Sequence, residues 1–231
     1  MTALSFDCYG TLIDWERGIV DAVARLHPSA ALDPERVLAA YAAAEGPVER
    51  EFPGMHYSAV VERAYVDLAA RLHLPYTDAA ARRFADSIGE WPAFPDSAAA
   101  LVALQRRFTL VVLSNVGRGS FARSEQRLGV RFDFVFTAED IGSYKPDRRN
   151  FEYMLERLAS HGIAPDALVH VAQSRYHDIE PAKAMGLRAV WVDRRRGRAG
   201  WGATPAPSGA AEPDLTVRSL AELAELAMDD R

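Results

Sequence analysis

The chain has one cysteine, Cys8, in 231 residues, which excludes an internal disulfide and fits a reducing cytoplasm as the expected location. It has no apolar run approaching the length of a membrane span, and no basic-then-apolar pattern at the N-terminus. Neither a membrane anchor nor a secretory signal is therefore expected. A large excess of either charge is lacking: 27 Lys and Arg against 32 Asp and Glu leave a net charge of −5. That balance gives no electrostatic argument for nucleic acid or a membrane surface as a partner. No internal repeat is found. What remains is an ordinary globular composition, 49% hydrophobic and 26% charged. The length suits one domain, or one domain with an insertion.

The most informative stretch is Leu4-Ser5-Phe6-Asp7-Cys8-Tyr9-Gly10-Thr11-Leu12-Ile13. Ala3 to Phe6 reads as a short buried strand, with the carboxylate of Asp7 at its C-terminal end. Gly10 then allows a sharp turn. In an open parallel sheet ligands bind outside the carboxyl ends of strands, so Asp7 stands where chemistry is expected. Alternation along the strand points Cys8 away from Asp7, and it reads as a small buried apolar residue.

From Trp15 to Ile88 the pattern is helical, with four segments: Trp15 to Leu26, Asp33-Pro34 towards Gly46-Pro47, Tyr57 to Leu72, and Asp78 to Ile88. Asp33 suits a helix cap and Pro34 a first helical position. From Trp91-Pro92 onward helices and strands alternate. The expected strands are Phe108 to Leu113, Phe132 to Thr137, Leu168 to Ala172, Arg188 to Val192 and a weak Leu215 to Val217. Asp96 is expected to cap one helix and Gly186 to end another. The alternation predicts an α/β fold: a Rossmann-like, doubly wound parallel sheet formed by residues 1–14 and 91–231, with residues 15–90 inserted as a helical cap domain. The Gly-, Pro- and Arg-rich stretch from Arg194 to Ala211 reads as a loop.

Three later strand ends line up with Asp7. Ser114-Asn115 offers a hydroxyl and an amide for holding an anion. Ser143-Tyr144-Lys145-Pro146-Asp147 places a lysine before a helix start. Gln173-Ser174-Arg175-Tyr176-His177-Asp178 follows an apolar strand, and Asp178 there reads equally as a helix N-cap or as a functional acid.

These four stretches together resemble the haloacid dehalogenase superfamily in order and over the whole chain, with the helical insertion where that family carries its cap. The resemblance implies a hydrolase in which Asp7 is the nucleophile, Lys145 its charge partner and Ser114 a hydrogen-bond donor. Thr11 and Asp178 complete the catalytic set, and Tyr9, Asn115, Gln173, Arg175 and His177 bind substrate. A nearby ammonium keeps an attacking carboxylate ionised. Asp178, with His177, is placed to activate the water that hydrolyses the resulting ester.

Magnesium-dependent phosphatases of the superfamily resemble Asp-x-Asp in the first motif and carry a Gly-Asp pair in the fourth. This chain has Tyr9 and Ala172-Gln173 at those places. Asp-x-Tyr-Gly-Thr instead resembles the 2-haloacid dehalogenases, which work without metal. The expected reaction is displacement of a leaving group from C2 of a small 2-substituted carboxylic acid such as a 2-haloacid, through an aspartyl ester and with no cofactor. Two features depart from that pattern, the first being the fourth motif: the dehalogenases resemble Ser-Ser-Asn-x-x-Asp where this chain reads Gln173-Ser174-Arg175-Tyr176-His177-Asp178. The helix over the site reads Val37-Leu38-Ala39-Ala40-Tyr41-Ala42-Ala43, without the basic residue that receives a halide, and Arg175 is one candidate to replace it. Three alternatives stay open. The first is an azetidine-2-carboxylate-type ring opening, with His177 as proton donor. The second is a Mg2+-dependent phosphatase, and the third a non-catalytic binding protein. The expected partners are the small acid and water, and a homodimer is compatible with the sequence.

Overall fold

A computed structural model describes residues 3–229. In chain order it contains β1 (Ala3–Phe6), α1 (Trp15–Leu26), α2 (Pro34–Glu51), α3 (Tyr57–Arg71), α4 (Asp78–Asp86), α5 (Ser97–Leu104) and β2 (Thr109–Ser114). There follow α6 (Arg118–Leu128), β3 (Phe134–Thr137), α7 (Ala138–Ile141), α8 (Arg148–Ala159), β4 (Leu168–Ala172), α9 (Glu180–Ala184), β5 (Arg188–Val192), β6 (Leu215–Val217) and α10 (Leu220–Asp229). The six strands form one sheet in the order β3-β2-β1-β4-β5-β6, and every pairing is parallel.

The chain winds outward from β1 through β2 to β3, then crosses back to β4 and winds the other way. The carboxyl ends of β1 and β4 therefore lie at the switch point of the sheet, where a crevice opens. Register makes this concrete: Phe6 pairs with Val112 on one side and Val171 on the other. The residues after β1, β2 and β4 leave the sheet together. All four residues of β1 are buried, as both faces of a central parallel strand require. Alternate side chains feed the two faces: Leu4, Phe6, Val112 and Val171 join one apolar cluster, while Ala3, Val111, Leu113 and Ala172 join the other.

Between β1 and β2 the chain makes helices α1 to α4. It leaves and returns through adjacent linkers, with Asp14 N donating to Pro92 O at 2.7 Å and Phe94 N to Leu12 O at 3.0 Å. Asp14 caps α1 by accepting from Arg17 N, and Asp33 caps α2 by accepting from Arg36 N, with Pro34 at its first turn. Tyr41, Tyr65 and Phe84 pack the interior of this bundle, with ring centroids 5.1 and 6.0 Å apart. Gly18 lets α1 approach the sheet domain, since a Cβ there would stand 2.2 Å from the Trp91 ring.

Two local expectations are corrected. Helix α2 does not end at Gly46-Pro47 but continues one turn to Glu51, with Pro47 inside it. An interior proline removes one backbone hydrogen bond, and the turn it fails to break carries Glu49, which proves important below. Asp96 occupies the N-cap position of α5, but its side chain makes no capping hydrogen bond there. Its carboxylate pairs with Arg194 at 2.8 and 3.0 Å and accepts from Leu220 N at 2.7 Å, so it caps α10 instead. The stretch after β5 is a loop that straps the sheet to the helical insertion: Arg195 binds Glu16 of α1 and Glu35 of α2.

Candidate active site

Pairing between β1 and β4 runs one residue past the strand, because Asp7 N donates to Val171 O at 3.1 Å. This fixes the buried Asp7 carboxylate at the switch point. The turn beyond it needs Gly10, whose φ is +99° and whose missing Cβ would stand 3.0 Å from Gln173 Oε1 and Trp15 Nε1. That turn brings Thr11 back so that its Oγ1 donates to Asp7 Oδ2 at 2.7 Å, while accepting from Gln173 N at 2.9 Å.

Lys145 reaches the same carboxylate from the loop before α8. Its ammonium is 2% exposed and donates to Asp7 Oδ1 at 3.0 Å, Asp178 Oδ1 at 2.6 Å and Leu113 O at 2.9 Å. An ammonium has three donors, so all three are committed. Asp178 Oδ1 also accepts from His170 Nε2 at 3.0 Å, and His170 Nδ1 lies 2.9 Å from Ser5 Oγ. Asp178 Oδ2 is buried and has no hydrogen-bond partner among the described residues. The helix-cap role that the sequence offered for Asp178 belongs to Ser174, whose hydroxyl accepts from His177 N. A wide π-type turn, Arg175–Ile179, then directs Asp178 inward.

The two acids differ electrically. Burial works against ionisation of Asp178, yet the Lys145 charge and the His170 hydrogen bond outweigh it and hold its carboxyl at about 2. For Asp7 burial prevails: its carboxyl sits above its ordinary value, with Lys145 opposing the rise and the Asp178 charge adding to it. Asp178 is thus the permanent counterion of Lys145, and Asp7 is the more basic of the two. A higher carboxylate basicity favours attack on an electrophile. Cys8 is fully buried and its thiol is pushed well up by burial, which keeps it protonated and inert.

Above Asp7 lies a cavity of about 40 Å3 lined by Ser114, Asn115, Val116, Tyr9, Trp15 and His177, among others. Asn115 ties down the lysine loop: its Oδ1 accepts from Lys145 N at 2.7 Å and its Nδ2 donates to Lys145 O at 3.1 Å. Tyr9 lines the cavity, but its hydroxyl turns away to Ser124 Oγ at 2.6 Å and Ser120 O at 3.3 Å. His177 lines it too, and burial lowers its imidazole to about 4. At neutral pH that ring is neutral, so the expected role of a charged proton donor does not fit it.

Two expected residues lie elsewhere. Arg175 turns away from Asp7: its guanidinium donates to Ala211 O at 2.6 Å and lies 5.4 Å from the centre of the Trp191 ring. It does not replace the missing cap arginine. Gln173 contributes its backbone N–H, but it is not part of the cavity lining: its side chain sits behind the wall, accepting from Oγ1 of the lining residue Thr204 at 3.4 Å.

Three residues of the site were not singled out in the sequence. His170 sits in the middle of a strand, where a lone polar residue is a weak signal. Glu45 and Glu49 project from α2 into the cavity wall and are buried, 5% and 7% exposed. With Tyr41 they follow an i, i+4, i+8 spacing that puts them on one helix face, and that spacing was the available clue. Magnesium fits poorly here. Hard cations take several oxygen ligands, whereas the Lys145 ammonium bridges Asp7 and Asp178 and Gln173 brings an amide where a further acid is needed. Among the described residues no group of three His, Cys, Asp or Glu could hold a metal ion.

A family model described as haloacid dehalogenase-like hydrolase matches residues 1–186. Phosphoserine phosphatase of Thermus thermophilus is 31% identical over 136 residues, 58% of this chain and 50% of that protein. (S)-2-haloacid dehalogenase 1 of a Pseudomonas species is 31% identical over 116 residues, 48% of this chain and 49% of that protein. The chain spans about half the length of these curated relatives. In fold it is similar to L-2-haloacid dehalogenase from Xanthobacter autotrophicus, solved with chloropropionic acid covalently bound. That likeness has a TM-score of 0.83 at 20% identity and covers 100% of both chains. A family match over residues 1–186 joins a parallel sheet that gathers Asp7, Ser114, Lys145 and Asp178 at its switch point, and the chain belongs to the haloacid dehalogenase-like hydrolases.

Proposed function

We propose that this hydrolase displaces a leaving group from C2 of a small 2-substituted carboxylic acid, without metal, through a covalent ester on Asp7. The observation that carries the reading is the pairing of two buried acids by one lysine. Lys145 is fixed by Asp178 and Leu113 O, so it steadies Asp7 while leaving it the more basic partner. A carboxylate of the substrate is suited to the Ser114-Asn115-Val116 side, just before the N-terminus of α6, where the helix dipole favours negative charge.

In the first step an Asp7 oxygen forms a bond to C2 as the bond to the leaving group breaks, and the leaving group departs with the electron pair. Water then attacks the Asp7 carbonyl carbon. Asp178 Oδ2, the buried acceptor without a partner, orients that water and accepts one of its protons. Collapse of the tetrahedral intermediate expels the 2-hydroxy acid, which takes up that proton, and leaves Asp7 as its carboxylic acid, whose remaining water-derived proton passes to solvent to restore the carboxylate. Covalently bound chloropropionic acid in the Xanthobacter enzyme supports this route by analogy.

The test is a panel of 2-haloacids, small 2-amino and cyclic imino acids, and phosphate esters, assayed with and without a strong chelator. Turnover of a 2-substituted acid that survives the chelator is expected. Turnover confined to phosphate esters, abolished by chelator and restored by magnesium, would replace this reading with the phosphatase one.

A further inference from the structure

The cavity over Asp7 is lined by two further buried acids from α2. Glu45 Oε1 accepts from Tyr41 OH at 2.8 Å and Tyr57 OH at 2.6 Å. Glu49 has only the Asn115 amide, at a long 3.3 Å. Neither forms an ion pair among the described residues. Lys145 is the one cationic side chain in the lining, and its three donors are committed. Arg50, one residue beyond Glu49, lines a neighbouring pocket of about 310 Å3 but not the cavity over Asp7. Glu49, Lys145 and His177 belong to both walls, so Glu49 stands where the outer pocket meets the inner cavity.

Buried acids are ordinarily paired, because an unpaired buried charge is costly. Here two acids on one helix line the cavity over the nucleophile, and among the described residues their hydrogen-bond partners are tyrosine hydroxyls and one amide. Trp15 and Tyr57 are among the aromatic residues of the same lining, and aromatic rings attract cations through their faces. A halide or other departing anion would find no uncommitted cation on this side. A positively charged nitrogen would complete the site.

Resting on the function proposed above, we infer that Glu45 and Glu49, with Trp15 and Tyr57, form a subsite for a cationic nitrogen on the substrate. The substrate class is then a small amino or imino acid, with its carboxylate towards Ser114 and Asn115 and its ammonium towards α2. Burial and the neighbouring Glu45 hold the Glu49 carboxyl well above its ordinary value, so an arriving cation returns it to the carboxylate and a proton is released.

Methylammonium and acetate are the probes, titrated calorimetrically at constant ionic strength into the full-length wild type and into Glu45→Gln, Glu49→Gln and Asp7→Asn. Methylammonium should saturate the wild type and bind at least ~10-fold more weakly to Glu49→Gln, the loss of one charged hydrogen bond. Acetate binding should be the same in both. The heat of methylammonium binding should vary with the ionisation heat of the buffer, reporting proton release. Methylammonium that does not saturate the wild type, or binds a folded Glu49→Gln equally well, overturns the subsite. Should Glu45→Gln not fold, Glu49→Gln decides alone. Asp7→Asn should keep its methylammonium binding while losing turnover, so failure of the ester mechanism and failure of the cation subsite give different results.

Discussion

Replacing Lys145 by methionine keeps most of the side-chain volume and removes the ammonium. Three acceptors lose their donor at once: Asp7 Oδ1, Asp178 Oδ1 and Leu113 O. Breaking a buried ion pair by deleting one partner costs about 3–5 kcal/mol, because the remaining charge is stranded. In a chain of this size each kcal/mol lowers Tm by about 2–4 °C, so a fall of roughly 6–20 °C is expected. The pH dependence identifies the cause. In the wild type Asp178 is held at about 2. It therefore stabilises the fold above the unfolded value, and that contribution is lost only as pH falls through about 2. Without Lys145 both acids titrate above their unfolded values, so the variant is penalised near neutrality and relieved on acidification. Urea unfolding followed from pH 8 to pH 4 should show the gap to the wild type narrowing, with activity lost throughout. A gap below about 1 kcal/mol, or one that stays constant with pH, would show that the Lys145 charge does not hold this site together.

Asp7→Asn should lose at least ~100-fold in rate, the lower end for a principal catalytic group, yet be as stable as the wild type or more so at pH 8. The Asp7 carboxyl is raised in the fold, so its ionised form costs stability above that value; the advantage of the amide should vanish as pH falls, which unfolding at both pH values would show. His170→Leu removes the Nε2 donor from Asp178 and leaves Ser5 Oγ unpaired, so a loss of about 1–3 kcal/mol is expected. Its acid limb should also move upward as Asp178 rises from about 2, and an acid limb identical to the wild type would contradict the support assigned to His170.

The legible part of the site was the part set by strand ends. Asp7, Ser114, Lys145 and Asp178 each follow a short apolar run or precede a helix, and a parallel sheet brings such points to one edge whatever the intervening sequence. Gly10 was legible for the same local reason, since its turn needs a positive φ. What a side chain does after leaving the sheet was harder to read. Arg175 and His177 lie two residues apart, yet a π-type turn sends one to the loop at Ala211 and the other to the cavity. Glu49 was missed because Gly46-Pro47 looks like a helix end, and tertiary packing carried α2 one turn further. His170 was hidden by its strand, where burial is expected and a partner eight residues on is not visible.

The central claim, that Asp7 itself becomes esterified, is tested most directly by one turnover in heavy-oxygen water with enzyme in excess over a substrate found by the panel. Water attacks the ester carbonyl in this account, so the heavy oxygen should appear in the Asp7 carboxylate, on the peptide that contains it, and the first-turnover 2-hydroxy acid should carry unlabelled oxygen. Heavy oxygen in that product, with none in Asp7, would mean that water attacks the substrate directly and that Asp7 is not the nucleophile.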